Sequence, residues 1–288
     1  ITFPGIVGFE FTVIPQLENA LIAGQDIILL GERGQAKTRI FRQLTSLLDE
    51  YVPVIEGCDI NDDPLSPICR QCIGLIRDKG DRVAIGWMGR EKRYSEKLAT
   101  PDVSVADLVG ESDPIKIAEG RHLSDEDAIH FGMIPRSHRS VFCINELPDL
   151  SERIQVSLFN LLQERDVQIK GYQIRLPLDL FLVATANPED YTNRGRIITP
   201  LKDRYGSQSR THYPSTLTQE LQIVNQERTR FEDVEDNVDV PEFMKTLVAT
   251  FTQLARRSPE INQRSGVSLR VTISNYETLL AQAFRRAV

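Results

Sequence analysis

Residues 26–48 read DIILLGERGQAKTRIFRQLTSLL, and the fold turns on them. After Asp26 come four aliphatic residues, Ile27 to Leu30, a run too short for a helix but the length of a buried strand. A loop with two glycines follows, and then Ile40, Leu44, Leu47 and Leu48 recur at the spacing of an amphipathic helix. Between strand and helix, Gly31, Glu32, Arg33, Gly34, Gln35, Ala36, Lys37 and Thr38 fit the pattern of a phosphate-binding loop, with Ala36 where glycine is usual. The pattern has a mechanism. Successive backbone N–H groups at the helix start cradle phosphates, the Lys37 ammonium reaches the outer ones, and the Thr38 hydroxyl ligates Mg2+. Ala36 is expected to cost little, on the premise that its φ is helical. The competing reading, a solvated turn that contains Lys-Thr, suits the flanking strand and helix poorly.

Working outward, SVFCINEL (140–147) and LFLVATAN (180–187) are short apolar runs that end in turn residues, and they read as parallel strands buried on both faces. Between them, LSERIQVSLFNLLQERD (150–166) carries the Leu150, Ile154, Leu158, Leu161 stripe of a helix, with Ser151 as its cap. Strand and helix alternate, as in α/β folds with a parallel sheet flanked by helices. DVQIKGYQIRLP (166–177), alternating around Gly171, reads as a projecting hairpin, and DPIKIAEGRHL (113–123) as a weaker one. After THYP (211–214) only helical patterns remain, so the expected organisation is a core over 1–213 and a small all-α domain over 214–288.

Asn145 and Glu146 close one strand and Asn187 another, which puts them at the sheet edge where open parallel sheets bind ligands. Glu146 there would orient or deprotonate an attacking water; its competing reading is a solvated strand end. Arg204 has no local signal beyond an exposed cation. Arg270 falls in the first turn of a predicted helix after Ser265 or Ser268, where the positive end of the helix dipole disfavours a cation unless an anion is near. Cys58, Cys69 and Cys72 read either as ordinary reduced thiols or as three zinc ligands, with Asp62 or Asp63 completing the set. His122, His130 and His138 suggest no ligand set.

Composition bounds the partners. Forty-one acidic residues against 34 basic ones give a net charge of −7, which argues against a nucleic-acid partner. There is no apolar run of bilayer length, and ITFPGIVGFEF (1–11) lacks the zones of a signal peptide, so the cytoplasm is expected. The chain begins with Ile1 rather than Met and stops inside an amphipathic pattern, which reads as a piece cut from a longer protein.

In order, GIVGFE (5–10), GERGQAKT (31–38), VADLVGE (105–111), GMIPRSHRSVFCINELPDL (132–150), FLVATANPEDY (181–191), LKDRYG (201–206) and SGVSLR (265–270) resemble the AAA+ ATPases of the MoxR and magnesium chelatase I-subunit group, over nearly the whole chain. The resemblance implies a P-loop core with a helix-2 insert and a pre-sensor-1 hairpin, followed by a helical lid. It implies ATP and Mg2+ as ligands, with Lys37 and Thr38 as the Walker A pair and Asn145 and Glu146 at Walker B. Asn187 would be sensor 1, Arg204 the arginine finger offered to a neighbouring subunit, and Arg270 sensor 2. It further implies self-association into a hexameric ring and a partner carrying a von Willebrand factor A domain. Asn145 is the clear departure, because an acid is usual there. Two functions follow: an ATP-driven motor for remodelling or metal insertion, or an ATP-binding assembly scaffold impaired in hydrolysis. A DNA-dependent motor fits the acidic charge poorly.

Overall fold

The computed structural model describes residues 3–113, 129–168, 175–187, 195–230, 237–261 and 266–287. Its strands are β1 (Ile27–Leu30), β2 (Tyr51–Ile55), β3 (Ile85–Gly89), β4 (Tyr94–Leu98), β5 (Gly110–Ser112), β6 (Ile129–Phe131), β7 (Ser140–Asn145), β8 (Asp166–Gln168), β9 (Arg175–Pro177), β10 (Leu180–Ala186) and β11 (Ser207–Arg210). Five of them form the central sheet in the order β11-β1-β10-β7-β4, every neighbouring pair parallel.

The two-residue period of a strand explains why the middle of this sheet is apolar throughout. Ile27, Leu29, Val141, Cys143 and Val183 point to one face, where they pack with Phe3, Ile6, Phe9, Leu17, Ile40 and Phe41. Ile28, Phe142, Ile144, Leu182 and Ala184 point to the other, joining Leu150, Ile154, Leu158 and Leu161. Both faces are covered, as a parallel sheet requires.

Several local expectations need correction. The helix opened by the phosphate-loop pattern runs only over Lys37–Gln43, continues as a 3-10 turn over Leu44–Leu47, and leaves Leu47 exposed. The expected long helix after residue 150 is two short ones, Glu152–Ser157 and Phe159–Glu164, which break at Leu158 while its side chain stays fully buried. Ser151 occupies the cap position of the first without a side-chain capping bond.

β8 and β9 form the antiparallel stem of the hairpin expected around Gly171, whose tip at 169–174 lies outside the described residues. The weaker hairpin at 113–123 lies outside them too, apart from Asp113; beside it, β5 and β6 pair antiparallel. β2 and β3 make a further antiparallel pair.

Beyond Pro214 the described elements are the helices Leu217–Glu227, Glu242–Arg257 and Leu269–Ala287, around a small core of Val224, Val240, Tyr276 and Leu280. One buried ion pair links all three. Glu220 is inaccessible to solvent and accepts from Arg256 at 2.8 and 2.9 Å and from Thr272 at 2.7 Å. Losing one partner of such a pair leaves a buried charge and costs about 3–5 kcal/mol. No helix among the described residues is long and apolar enough to cross a membrane.

Candidate functional site

Because the five strands are parallel, their C-terminal ends share one edge, and the register aligns Leu30 with Ala186 and Asn145 with Leu98. The loop after β1, the Asn145-Glu146 pair after β7 and Asn187 after β10 therefore meet. A cleft of about 720 Å³ opens there, lined by the loop from Arg33 to Arg39, by Asn145, Glu146 and Asn187, and by Arg270 from the helical region.

The loop is tight. A side chain at Gly31 would lie 1.9 Å from the Thr211 hydroxyl, and Gly34 has a φ of +75°. Gln35 is buried, its Oε1 accepting from Thr211 at 2.6 Å. Ala36 overturns the premise made for it: its φ is +54° and its ψ +15°, the left-handed region. A Cβ there costs about 1–2 kcal/mol, which is why glycine is usual. Ala36→Gly is expected to stabilise the protein by about 0.5–1 kcal/mol, read as a higher urea midpoint. A lower midpoint would mean that the loop does not hold this conformation in solution.

Lys37 is buried, and its Nζ donates to the carbonyls of Gly31 and of Glu32 (2.7 Å) and to Asn187 Oδ1 (2.8 Å). The ammonium thus spans the loop and the end of β10. Thr38 Oγ1 donates to Asn145 Oδ1 at 3.1 Å, which places both oxygens at one point. Asn145 Oδ1 is also 3.4 Å from the Thr185 hydroxyl and 3.5 Å from Cys143 Sγ, so the amide is turned with its oxygen toward Thr38. Glu146 has a φ of +57°, a left-handed turn that ends the strand, and its N–H is held by Thr185 Oγ1 at 2.9 Å. Strain at such a position is held where the surroundings over-determine it.

Arg270 sits in the first turn of the helix Leu269–Ala287, its N–H capped by Ser268 Oγ at 3.1 Å, and Arg33, Lys37 and Arg39 add further positive charge. Ser265 lies outside the described residues. Arg39 is paired with Glu227 across the cleft. Arg204 is not part of this arrangement: its guanidinium bonds Gln163 at 3.1 Å and Pro200 O at 2.7 Å and lies 4.4 Å over the Phe159 ring, away from the cleft of its own chain.

Sequence reasoning missed two groups. Thr185 ties the ends of β7 and β10 together; the two-residue strand period, which puts it on the face of Asn187, could have flagged it. The apolar end of the cleft is built by Ile6, Val7, Phe9, His212, Ile223 and Ile273. Phe9 meets the His212 ring edge-on at 5.0 Å. His212 Nδ1 lies 2.8 Å from the Tyr213 carbonyl, so it carries the proton, and Nε2 accepts from Thr12 at 2.8 Å.

Elsewhere, Cys58, Asp62, Cys69 and Cys72 gather, none of them lining the cleft. A hydrogen bond shared with Cys69 holds the Cys58 thiol down to about 6, the same contact raises Cys69, and burial pushes Cys72 up to about 12. Asp63 is turned away, toward Arg139 at 3.4 Å. Among the described residues His130 and His138 join no such group, and His122 lies outside them.

The chain is 29% identical over 211 residues to the magnesium-chelatase subunit ChlI homolog of Methanocaldococcus jannaschii, covering 71% of this chain and 53% of that protein. It is 26% identical over 238 residues to the magnesium-chelatase subunit ChlI of a Nostoc species, covering 80% and 59%. It thus spans little more than half the length of these relatives. No family model matches it.

Among solved structures it is similar to one of the complex between subunits BchI and BchD of magnesium chelatase, with a TM-score of 0.55 and 22% identity over 99% of this chain and 75% of that one. It is also similar to the closed state of Hsp104 with ATPγS and FITC casein, with a TM-score of 0.53 and 12% identity over 95% and 45%. At those identities the likeness is one of fold. Taken with the sequence relatives and with a phosphate loop opening onto the edge of a five-stranded parallel sheet, the likeness is to the AAA+ ATPases of the magnesium chelatase I-subunit group.

Proposed function

We propose that the chain is a cytoplasmic, Mg2+-dependent ATPase that works within a hexameric ring of like subunits. Turnover would drive the remodelling of a partner protein, or metal insertion and maturation, as the resemblance to MoxR and magnesium chelatase proteins implies. The observation that carries this reading is the convergence of Lys37, Thr38, Asn145, Glu146, Asn187 and Arg270 on one cleft. Its backbone donors and cations suit a triphosphate, and its apolar end suits a base. Four cysteines free of disulfides suit a reducing compartment. The BchI subunit of the similar structure is in complex with BchD; we carry over to this chain only the expectation of a second, different subunit, and that it carries a von Willebrand factor A domain rests on the sequence resemblance.

The residues divide the work. Backbone N–H groups of the loop and Lys37 hold the phosphates, and Asn187 fixes the ammonium from the far side. Thr38 and, through water, Asn145 would hold Mg2+; two converging neutral oxygens suit that hard cation, which neutralises charge on the phosphates. Glu146 positions the attacking water and takes its proton. Arg270 steadies the phosphates from the lid side, so that the helical region senses the nucleotide.

The amide at Asn145 favours one second reading, an ATP-binding scaffold impaired in hydrolysis. A titration of phosphate release against Mg2+ separates the two. An amide oxygen still accepts a hydrogen bond from a metal-bound water but carries no charge, a deficit of roughly 10 to 100-fold in metal affinity. Asn145→Asp is therefore expected to lower the half-saturating Mg2+ by that factor with little change in maximal rate. A wild type that is silent at saturating Mg2+ while Asn145→Asp turns over would establish the scaffold instead.

A further inference from the structure

Cys58 and Asp62 sit in the irregular segment after β2, whereas Cys69 caps the helix Arg70–Lys79 and Cys72 lies in its first turn. One ligand atom from each of the four lies within 4.8 Å of every other. A tetrahedral zinc with Zn–S near 2.3 Å and Zn–O near 2.1 Å sets its ligand atoms about 3.6–3.8 Å apart, so a contraction of about 1 Å closes the shell. Cys69, Cys72 and Asp62 are buried. A fourth protein ligand leaves no open position, the mark of a structural rather than a catalytic centre.

Two features of the surroundings point the same way. The sulfurs face backbone donors: Cys72 N–H reaches Cys69 Sγ at 3.3 Å and Asp62 N–H reaches Cys58 Sγ at 3.4 Å, contacts that favour thiolate over thiol. Asp62 is a wholly buried carboxylate with no ion pair among the described residues. Such a charge is costly unless compensated. The N–H groups of Asp63, Ile68 and Cys69 bond its two oxygens at 2.9–3.2 Å, Ile68 reaching both, and fix the carboxylate beside the sulfurs. A soft dication would offset both the carboxylate and the thiolates, and a set with three sulfurs excludes Mg2+ and Ca2+.

We infer that Cys58, Asp62, Cys69 and Cys72 form a structural zinc site, separate from the nucleotide cleft, that pins the segment between β2 and the helix Arg70–Lys79 to the core. That segment has few other ties: Ile60 is buried beneath it, Asn61 bonds Arg136 O at 2.9 Å, and Asp63 meets Arg139. It is also where the antiparallel pair β2 and β3 joins the body, and that pair exposes Tyr51, Ile85 and Trp87. Binding would release the thiol protons that remain on the three sulfurs.

The test is metal analysis of the chain purified under reducing conditions without chelator or added metal. About one zinc per chain is expected, retained in Lys37→Ala and lost at least tenfold in Cys69→Ser/Cys72→Ser. Should the double variant fail to fold, wild-type protein stripped of metal and titrated with Co2+ should develop the intense visible bands of tetrahedral thiolate coordination, which added Zn2+ then bleaches. Zinc below about a tenth of an equivalent together with no such bands would overturn the site. So would stoichiometric zinc that persists in the double variant, or a Cys58–Cys69 disulfide found by peptide mapping of the purified chain.

Discussion

Replacing Lys37 by Ala is expected to abolish ATP binding, whereas Glu146→Gln keeps binding and stops turnover. The asymmetry follows from where each side chain sits. Lys37 Nζ is buried between the loop carbonyls and Asn187, and its charge-assisted bonds are the strong ones in the cleft. Their loss is expected to weaken ATP by about 100-fold or more, near 3 kcal/mol. Glu146 lines the cleft on a left-handed turn held by Thr185, so the glutamine variant should keep the shape and lose only the base. A general base contributes ~10²–10⁴ in rate, and the drop should appear in kcat with Kd for ATP nearly unchanged. Equal ATP affinity in Lys37→Ala and wild type would remove the loop from the site.

Arg204 yields the second large effect. Its guanidinium is held by Gln163, Pro200 O and Phe159 and does not line the cleft of its own chain, so any role at a phosphate must be played at a neighbour's. Arg204→Ala and Lys37→Ala subunits should each be inactive alone and regain activity when mixed, since one supplies an intact pocket and the other an intact arginine. The charge supplied in trans is worth ~10³–10⁵ in rate. Mixed assemblies that demonstrably contain both variants yet show no recovery would place Arg204 outside the reaction.

How far the sequence discloses this architecture depends on burial. β1, β7 and β10 lie inside the sheet, covered on both faces, and appear as unbroken apolar runs followed by turns. β4, with Ser95, Glu96 and Lys97, and β11, with Ser207 to Arg210, are its edge strands; both are polar, so they carry no apolar periodicity to read. Most of the polar end of the cleft is legible because the phosphate loop, the Asn145-Glu146 pair and Asn187 each follow a strand within a short motif. The apolar end is assembled by contacts such as Thr12 with His212, 200 residues apart, and nothing local marks either partner. Ala36 shows a different limit: residue type alone is compatible with a helical φ, and only the packed loop reveals the left-handed one. The Cys58, Cys69, Cys72 spacing lacks a fourth cysteine, and only folding brings the Asp62 carboxylate to the sulfurs.

The central claim is that this cleft hydrolyses ATP, and steady-state phosphate release by the wild-type chain at saturating Mg2+ tests it most directly. The account predicts continuous release that disappears in Glu146→Gln and in Lys37→Ala. ATP binding to the wild type with release no faster than that of Glu146→Gln would contradict it.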